Sequence, residues 1–140
     1  MSTITVTATI NAELDQVWRT WTNPDDIMQW NFASDDWCCP DAQIDLSEGG
    51  AFCFRMESVD GNVGFDLRGS YQSIKEGAQI DYRLEDGRQV WVSFEKDESG
   101  TRVTQVFEPE TQHSIELQRQ GWQAILNNFK QFNEAKREAD

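Results

Sequence analysis

Positive charge is scarce in this 140-residue chain: 12 Lys and Arg stand against 25 Asp and Glu, a formal net charge of −13. Phosphate backbones are bound mainly through Lys and Arg, so the balance excludes nucleic acid and disfavours anionic membrane surfaces. The acid excess is read as solubility. Histidine occurs once, at His113, in the polar run Glu110-Thr111-Gln112-His113-Ser114, which predicts a surface residue and not a general base. Cysteine occurs three times, with Cys38 and Cys39 adjacent and Cys53 alone. That is neither an even disulfide framework nor metal-ligand spacing, and with a single His it cannot build a four-ligand zinc site. No metal and no cofactor is predicted, and the cysteines are read as small apolar residues in a reducing compartment. No apolar run approaches a membrane span, and Met1 to Val6 lacks a basic-then-apolar leader, so a cytoplasmic protein with no membrane association is expected. There is no nucleophile elbow, and Gly49-Gly50 lacks the Lys-Ser that would make it a phosphate loop.

Aromatic residues, in contrast, are plentiful. Six Trp and eight Phe in a chain of this length predict a folded core and exclude a disordered acidic tail. The length suits one domain, 1–140, with fraying after about residue 136. Thr3 to Ile10 alternates as a half-buried strand, and Asn11 is placed to cap a helix carrying Leu14, Val17, Trp18 and Trp21. Asn23-Pro24-Asp25-Asp26 is a second helix start, and the short helix it opens runs to about Trp30. Asn31 to Pro40 reads as a loop. Strands follow from Ala42 to Leu46, Ala51 to Ser58, Val63 to Lys75, Gln79 to Leu84, Gln89 to Lys96 and Thr101 to Glu108. The turns Asp60-Gly61, Glu76-Gly77, Asp86-Gly87 and Ser99-Gly100 between them predict an antiparallel meander.

Period two sorts these strands into faces. Phe52, Phe54, Met56, Phe65, Leu67, Tyr71, Ile80, Tyr82, Leu84, Val90, Val92, Phe94, Val103 and Phe107 share one face, while Arg55, Asp66, Arg68, Asp81, Arg83, Glu95 and Arg102 form a mixed-sign ladder on the other. Trp91 breaks the pattern by falling on the polar side. From Ile115 to Asn133 the period changes to helical: Gln118, Trp122, Leu126, Phe129 and Asn133 lie on one stripe, with Ile125 and Phe132 beside it. This last helix is long enough to cover the apolar face of the sheet, which makes the chain an α+β protein.

The element order, together with particular residues, resembles a known family. Those residues are Val17-Trp18, Trp21-Thr22-Asn23-Pro24, Trp30, Ser47-Glu48-Gly49-Gly50-Ala51-Phe52-Cys53-Phe54-Arg55-Met56, Gly69-Ser70-Tyr71, Gly100-Thr101-Arg102-Val103-Thr104 and Gly121-Trp122 with Ile125-Leu126. The chain resembles the START-like (SRPBCC) superfamily, in its branch of heat-shock-protein ATPase activator homologues (AHSA-type), over nearly its whole length. The resemblance implies the helix-grip fold: a curved antiparallel sheet around a long C-terminal helix, two short N-terminal helices, and an elongated cavity for an apolar or amphipathic molecule. It also implies a link to stress response. Members of that superfamily include lipid carriers, hormone receptors, polyketide aromatase/cyclases and a co-chaperone domain, so the fold does not name an activity. The co-chaperone has an additional N-terminal domain for which 140 residues leave no room, so direct ATPase activation is not expected.

The function expected is therefore non-catalytic binding of a small apolar or aromatic molecule between sheet and last helix. The expected cavity residues are Trp30, Phe32, Trp37, Phe54, Phe65, Tyr82, Val92, Gln118, Trp122, Leu126 and Phe129, with no catalytic residue and no metal ligand. Trp30, Phe32 and Trp37 are many large rings for a short loop and suggest either a gate or a plug. Gln118 and Asn133 are amides on an apolar stripe, in need of a ligand, a water or a backbone partner. Glu48, Arg55 and Tyr71 would make an acid/base group only if they turned inward together, whereas alternation points Arg55 outward to pair with Asp66 or Asp81. Two alternatives stand beside the binding reading: a cyclase or aromatase using Tyr82, Tyr71 or Gln118, and a protein-interaction module acting through the acidic surface. A monomer or weak homodimer is expected.

Overall fold

The structure, a computed structural model, describes residues 2–139, with side chains through residue 136; the tail after about residue 136, where the sequence suggests fraying, is described only by its backbone, which is helical to Ala139. Ten elements follow in order. β1 (Ile4–Ile10), α1 (Leu14–Thr22) and α2 (Pro24–Trp30) precede six strands, β2 (Trp37–Ile44), β3 (Ala51–Ser58), β4 (Gly64–Lys75), β5 (Gln79–Leu84), β6 (Gln89–Asp97) and β7 (Gly100–Phe107). The chain closes with α3 (Ile115–Ala139). The seven strands make one antiparallel sheet in the order β1-β7-β6-β5-β4-β3-β2, curled into a half-barrel, so the first strand pairs with the last and completes the meander. This is the helix-grip architecture.

Two boundaries differ from those the sequence predicts. Asn11 does not cap α1: the chain leaves β1 through a tight turn (Ala12 N to Ile10 O, 2.9 Å), Ala12 is buried, and the helix starts only after Glu13. The Asn11 amide donates instead to Glu134 on α3. The predicted loop 31–40 is shorter than expected, because β2 begins at Trp37. Its register shifts between Cys38 and Asp41, and Pro40 sits within that irregularity of an edge strand, where a missing N–H is tolerated. The bulge breaks the alternation that would have revealed the strand. At α2, in contrast, the predicted start holds, since Asn23 Oδ1 accepts from the Asp25 amide at 3.0 Å and Pro24 takes the first helical position.

A second bulge, between Tyr71 and Ser73, lets β4 keep one face inward along its length: Tyr71 pairs with Tyr82 and Ile74 with Ile80. Gly69 has a specific reason. It lies opposite Phe52, and a Cβ there would come within 2.6 Å of the Phe52 ring and 2.4 Å of the Arg83 carbonyl oxygen. Only the bare backbone leaves room for that ring.

The helices do not cover the inner face evenly. α3 packs on β1, α1 on β6 and β7, and α2 on β2. Where these layers meet, Trp18 and Trp21 pack edge-on against Phe94, and Trp21 and Trp30 against Phe129, with ring centres 4.6–5.7 Å apart. Phe129, Leu126, Val103 and Val92 are sealed from water. Full burial of each such side chain contributes roughly 1.5–3 kcal/mol. The helices thus hold the two flanks of the sheet, and no helix packs closely on β4 or β5 in its middle.

Candidate functional site

The uncovered middle of the sheet encloses a cavity of about 290 Å³. Its floor is Phe52, Phe54, Met56, Phe65, Leu67, Tyr71, Tyr82 and Leu84 of β3 to β5, with Gln105 of β7. Trp21, Ile27, Trp30 and Asn31 close one side, Trp122 and Ile125 of α3 the other, and Arg88 enters from the turn between β5 and β6. Most of this lining is apolar. Phe52 and Phe54 stack with ring centres 5.0 Å apart, and Phe52 meets the Tyr82 ring edge-on at 5.3 Å.

Five of the residues expected from the sequence meet here: Trp30, Phe54, Phe65, Tyr82 and Trp122. Trp30 is buried and its indole N–H donates to the Thr20 carbonyl at 3.0 Å, so it is a fixed wall and not a moving gate. Trp122 is half-buried instead of buried as the stripe predicts: one face of its indole lies flat on Phe107, with centres 3.8 Å apart, and the residue borders the cavity. Phe65 stands half-exposed at the rim and touches Trp37.

The other six lie elsewhere. Phe32 is half-buried outside the cavity, where its carbonyl accepts from Asn128 on α3 at 2.8 Å. Trp37 reaches the rim only through Phe65. Val92, Leu126 and Phe129 are fully buried in the packed flank, because α1 and α3 sit against their part of the structure. Gln118 is used up before α3 begins to border the cavity. Its amide donates to the carbonyls of Glu110 and His113 and accepts from the Glu110 N–H, all at 2.9–3.0 Å, fastening the loop that leads into the helix. Asn133 is similarly satisfied: it accepts from Thr20 Oγ1 at 2.8 Å and Gln16 Nε2 at 3.2 Å and donates to the Phe129 carbonyl, joining α1 to α3.

Gln105 escaped the sequence reading. It occupies the inward phase between Val103 and Phe107, so the polar residue in that alternation was the available signal. It is only 5% exposed, and its side chain is a hydrogen-bond partner of the Tyr82 hydroxyl, while the Tyr71 hydroxyl has no side-chain partner among the described residues. No side-chain polar atom sealed from water lacks a partner among the described residues, so the Tyr71 hydroxyl opens onto the cavity that Gln105 and Tyr82 also line. Burial pushes both tyrosine hydroxyls well above the ordinary phenol range. At Tyr82 the nearby Arg88 charge and the adjacent Gln105 amide offset only part of that rise. Both stay protonated. No carboxylate, histidine or thiol lines the cavity.

The remaining candidates are structural. Arg55 lies on the outer face, bound to Glu57 at 2.8 Å and Asp66 at 3.4 Å, and the Glu57 bond is the main reason its guanidinium holds its proton more tightly. Glu48 accepts from the Ile74 amide, so Glu48, Arg55 and Tyr71 form no acid/base group. Exposed His113 pairs with Glu110 at 2.9 Å. Cys39 is buried, and desolvation raises its thiol to about 11, which leaves it inert. A wider depression of about 990 Å³ on the sheet, bordered by Asp41, Asp45, Arg68, Arg83 and Glu85, is open to solvent with charges of both signs. No group of His, Cys, Asp and Glu among the described residues is arranged to hold a metal. No helix among them is long and apolar enough to cross a membrane.

Comparison with known proteins agrees with this architecture. No curated protein matches the chain. The solution structure of an AHSA1-like protein from Aeromonas hydrophila superposes with a TM-score of 0.91 at 39% identity, covering 96% of this chain and 94% of that one. Protein Chr148 from Cytophaga hutchinsonii is 40% identical, with a TM-score of 0.79 over 99% of this chain and 94% of its own. Protein NE0264 from Nitrosomonas europaea, at 18% identity, shares the fold with a TM-score of 0.82 over 97% and 96% of the two chains. Residues 11–134 match the family profile described as activator of Hsp90 ATPase homolog 1-like protein, which spans the helices, the meander and most of α3. The chain belongs to this AHSA1-like family.

Proposed function

We propose that the protein binds a small, mainly apolar aromatic molecule in the cavity between the middle of the sheet and α3, without transforming it. The observation that carries this reading is the cavity itself. Packed interiors leave few voids larger than a water, and a space of about 290 Å³ between well-formed layers is a feature to be filled. An apolar cavity of about 150 Å³ accommodates benzene, so this one suits a molecule of about two rings. Edge and face contacts from Phe52, Phe54 and Trp122 favour flat aromatic ligands. Proton-transfer chemistry needs a base within reach of the substrate, and the polar groups on these walls are protonated tyrosines, two amides and an arginine. That composition supports binding over a cyclase-type reaction.

Access in this reading is at the rim where half-exposed Phe65 meets Trp37 of the neighbouring strand, since Trp30 is fixed by its bond to Thr20. Calorimetric titration with 2-naphthalenemethanol tests the reading. Saturable one-to-one binding is expected, accompanied by a change in Trp fluorescence from Trp122, and lost when Leu67→Trp fills the cavity. Absence of saturable binding to the unaltered protein would overturn it.

A further inference from the structure

The polar groups on the cavity wall are not distributed at random. Thr20, Thr101, Gln118 and Asn133 are buried elsewhere in the molecule, and each is held by hydrogen bonds to the protein. The cavity instead carries the Tyr71 hydroxyl with no such bond among the described residues, Gln105 and Tyr82 as partners of each other, and beside them the one charged side chain of its lining, Arg88. Open to the cavity and not tied into the surrounding backbone, these groups keep hydrogen-bonding capacity for a molecule that enters that space. Arg88 is tethered by one edge: its Nε donates to Asp86 at 2.8 Å, and its backbone N–H donates to the same carboxylate at 3.1 Å. That leaves both terminal amino groups of the guanidinium without a protein acceptor among the described residues, on a side chain only 23% exposed.

We infer that the cavity takes an aromatic carboxylic acid, its rings among Phe52, Phe54 and Trp122 and its carboxylate on the free edge of Arg88 beside Tyr82 and Gln105. This rests on the binding reading above and names the ligand class for the same site. Three features choose the monoanion. Arg88 Nη–H groups, the tyrosine O–H and the Gln105 N–H are all donors, and a carboxylate is an acceptor that can use several at once. A phosphate would bring up to two charges to one guanidinium already shared with Asp86, inside a protein of net charge −13. A neutral alcohol would fill the apolar space but would offer the free guanidinium edge only a single uncharged acceptor.

The test compares 2-naphthoate with 2-naphthalenemethanol, a matched acid and alcohol, by calorimetry at about 0.15 M salt, where charges on the outer surface are screened. The acid is expected to bind the unaltered protein at least about tenfold more tightly, as charge-assisted hydrogen bonds imply. Arg88→Gln should erase that preference, bringing the acid-to-alcohol affinity ratio to about one, and Arg88→Lys should restore part of it. Gln105→Leu, which keeps Arg88 and its hairpin, should lower the acid-to-alcohol affinity ratio severalfold, and it serves if Arg88→Gln fails to fold in a thermal melt. Equal binding of acid and alcohol, or a preference that survives both Arg88→Gln and Gln105→Leu, overturns this inference and leaves the binding reading standing. If neither compound binds, the binding reading itself falls.

Discussion

The two sides of the apolar face of the sheet are built from the same kinds of residue and end up in opposite states. On the flank of β1, β6 and β7, α1 and α3 press Trp18, Trp21, Leu126 and Phe129 against Phe94 and Val103, and Phe94, Val103, Leu126 and Phe129 are closed off from water. In the middle, Phe52, Phe54, Leu67 and Tyr82 are as apolar and as regularly spaced, yet they look into space. Hydrophobic pattern alone therefore does not make a core. A core also needs an opposing surface within van der Waals reach, and the helices supply one only at the flanks.

The largest expected effect tests the packed flank. Phe129→Ala removes the ring that joins Trp21 and Trp30 and should destabilise by about 3–5 kcal/mol in urea unfolding. A loss near 1 kcal/mol would show that the flank is as loose as the middle. Trp122→Ala stands at the boundary and should cost less, about 1–3 kcal/mol, because its indole is packed on one side against Phe107 and borders the cavity on the other. A cost equal to that of Phe129→Ala would mean the cavity is filled in solution.

Tyr71→Phe probes the open middle directly. The hydroxyl has no side-chain partner among the described residues, so its removal should change stability by less than about 0.5 kcal/mol in the same assay. A larger loss would reveal a hydrogen bond to an ordered water. The smallest effect lies outside both regions, in the loop before α3. The His113 hydrogen bond holds the Glu110 carboxyl below its ordinary value of 4.5. A lowered carboxyl contributes stability above that value and loses it as pH falls through its folded value, so Glu110→Gln should slightly lower stability at neutral pH, leave it unchanged at low pH, and so flatten the acid limb below about pH 4.5. An unchanged acid limb would remove Glu110 from the account of that limb.

Much of this was legible beforehand, for identifiable reasons. Turns such as Asp60-Gly61 and Asp86-Gly87 need a positive φ, which Gly61 and Gly87 adopt, and so they mark the hairpins in any reading of the sequence. The inward phase of β3 to β7 followed from period two, and the stripe of α3 from its 3.6-residue repeat. Pro40 and the bulge beside it hid the start of β2, and the turn at Ala12 displaced the predicted cap at Asn11. Among the site residues, Phe54 and Tyr82 were found because their strands lie in the uncovered middle. Val92 and Leu126 have the same pattern but belong to the covered flank, and Gln118 found its partners within its own loop.

By itself the sequence determined the elements, their inward faces and the family, because propensity, turn chemistry and periodicity are properties of short stretches of chain. Only the tertiary structure decided where the inner face is filled and where it is empty, and that Gln105, Tyr71, Tyr82 and Arg88 meet at one wall. A cavity is a matter of the distance between elements. That distance depends on how α1, α2 and α3 divide the sheet among them, which no single stretch of sequence records.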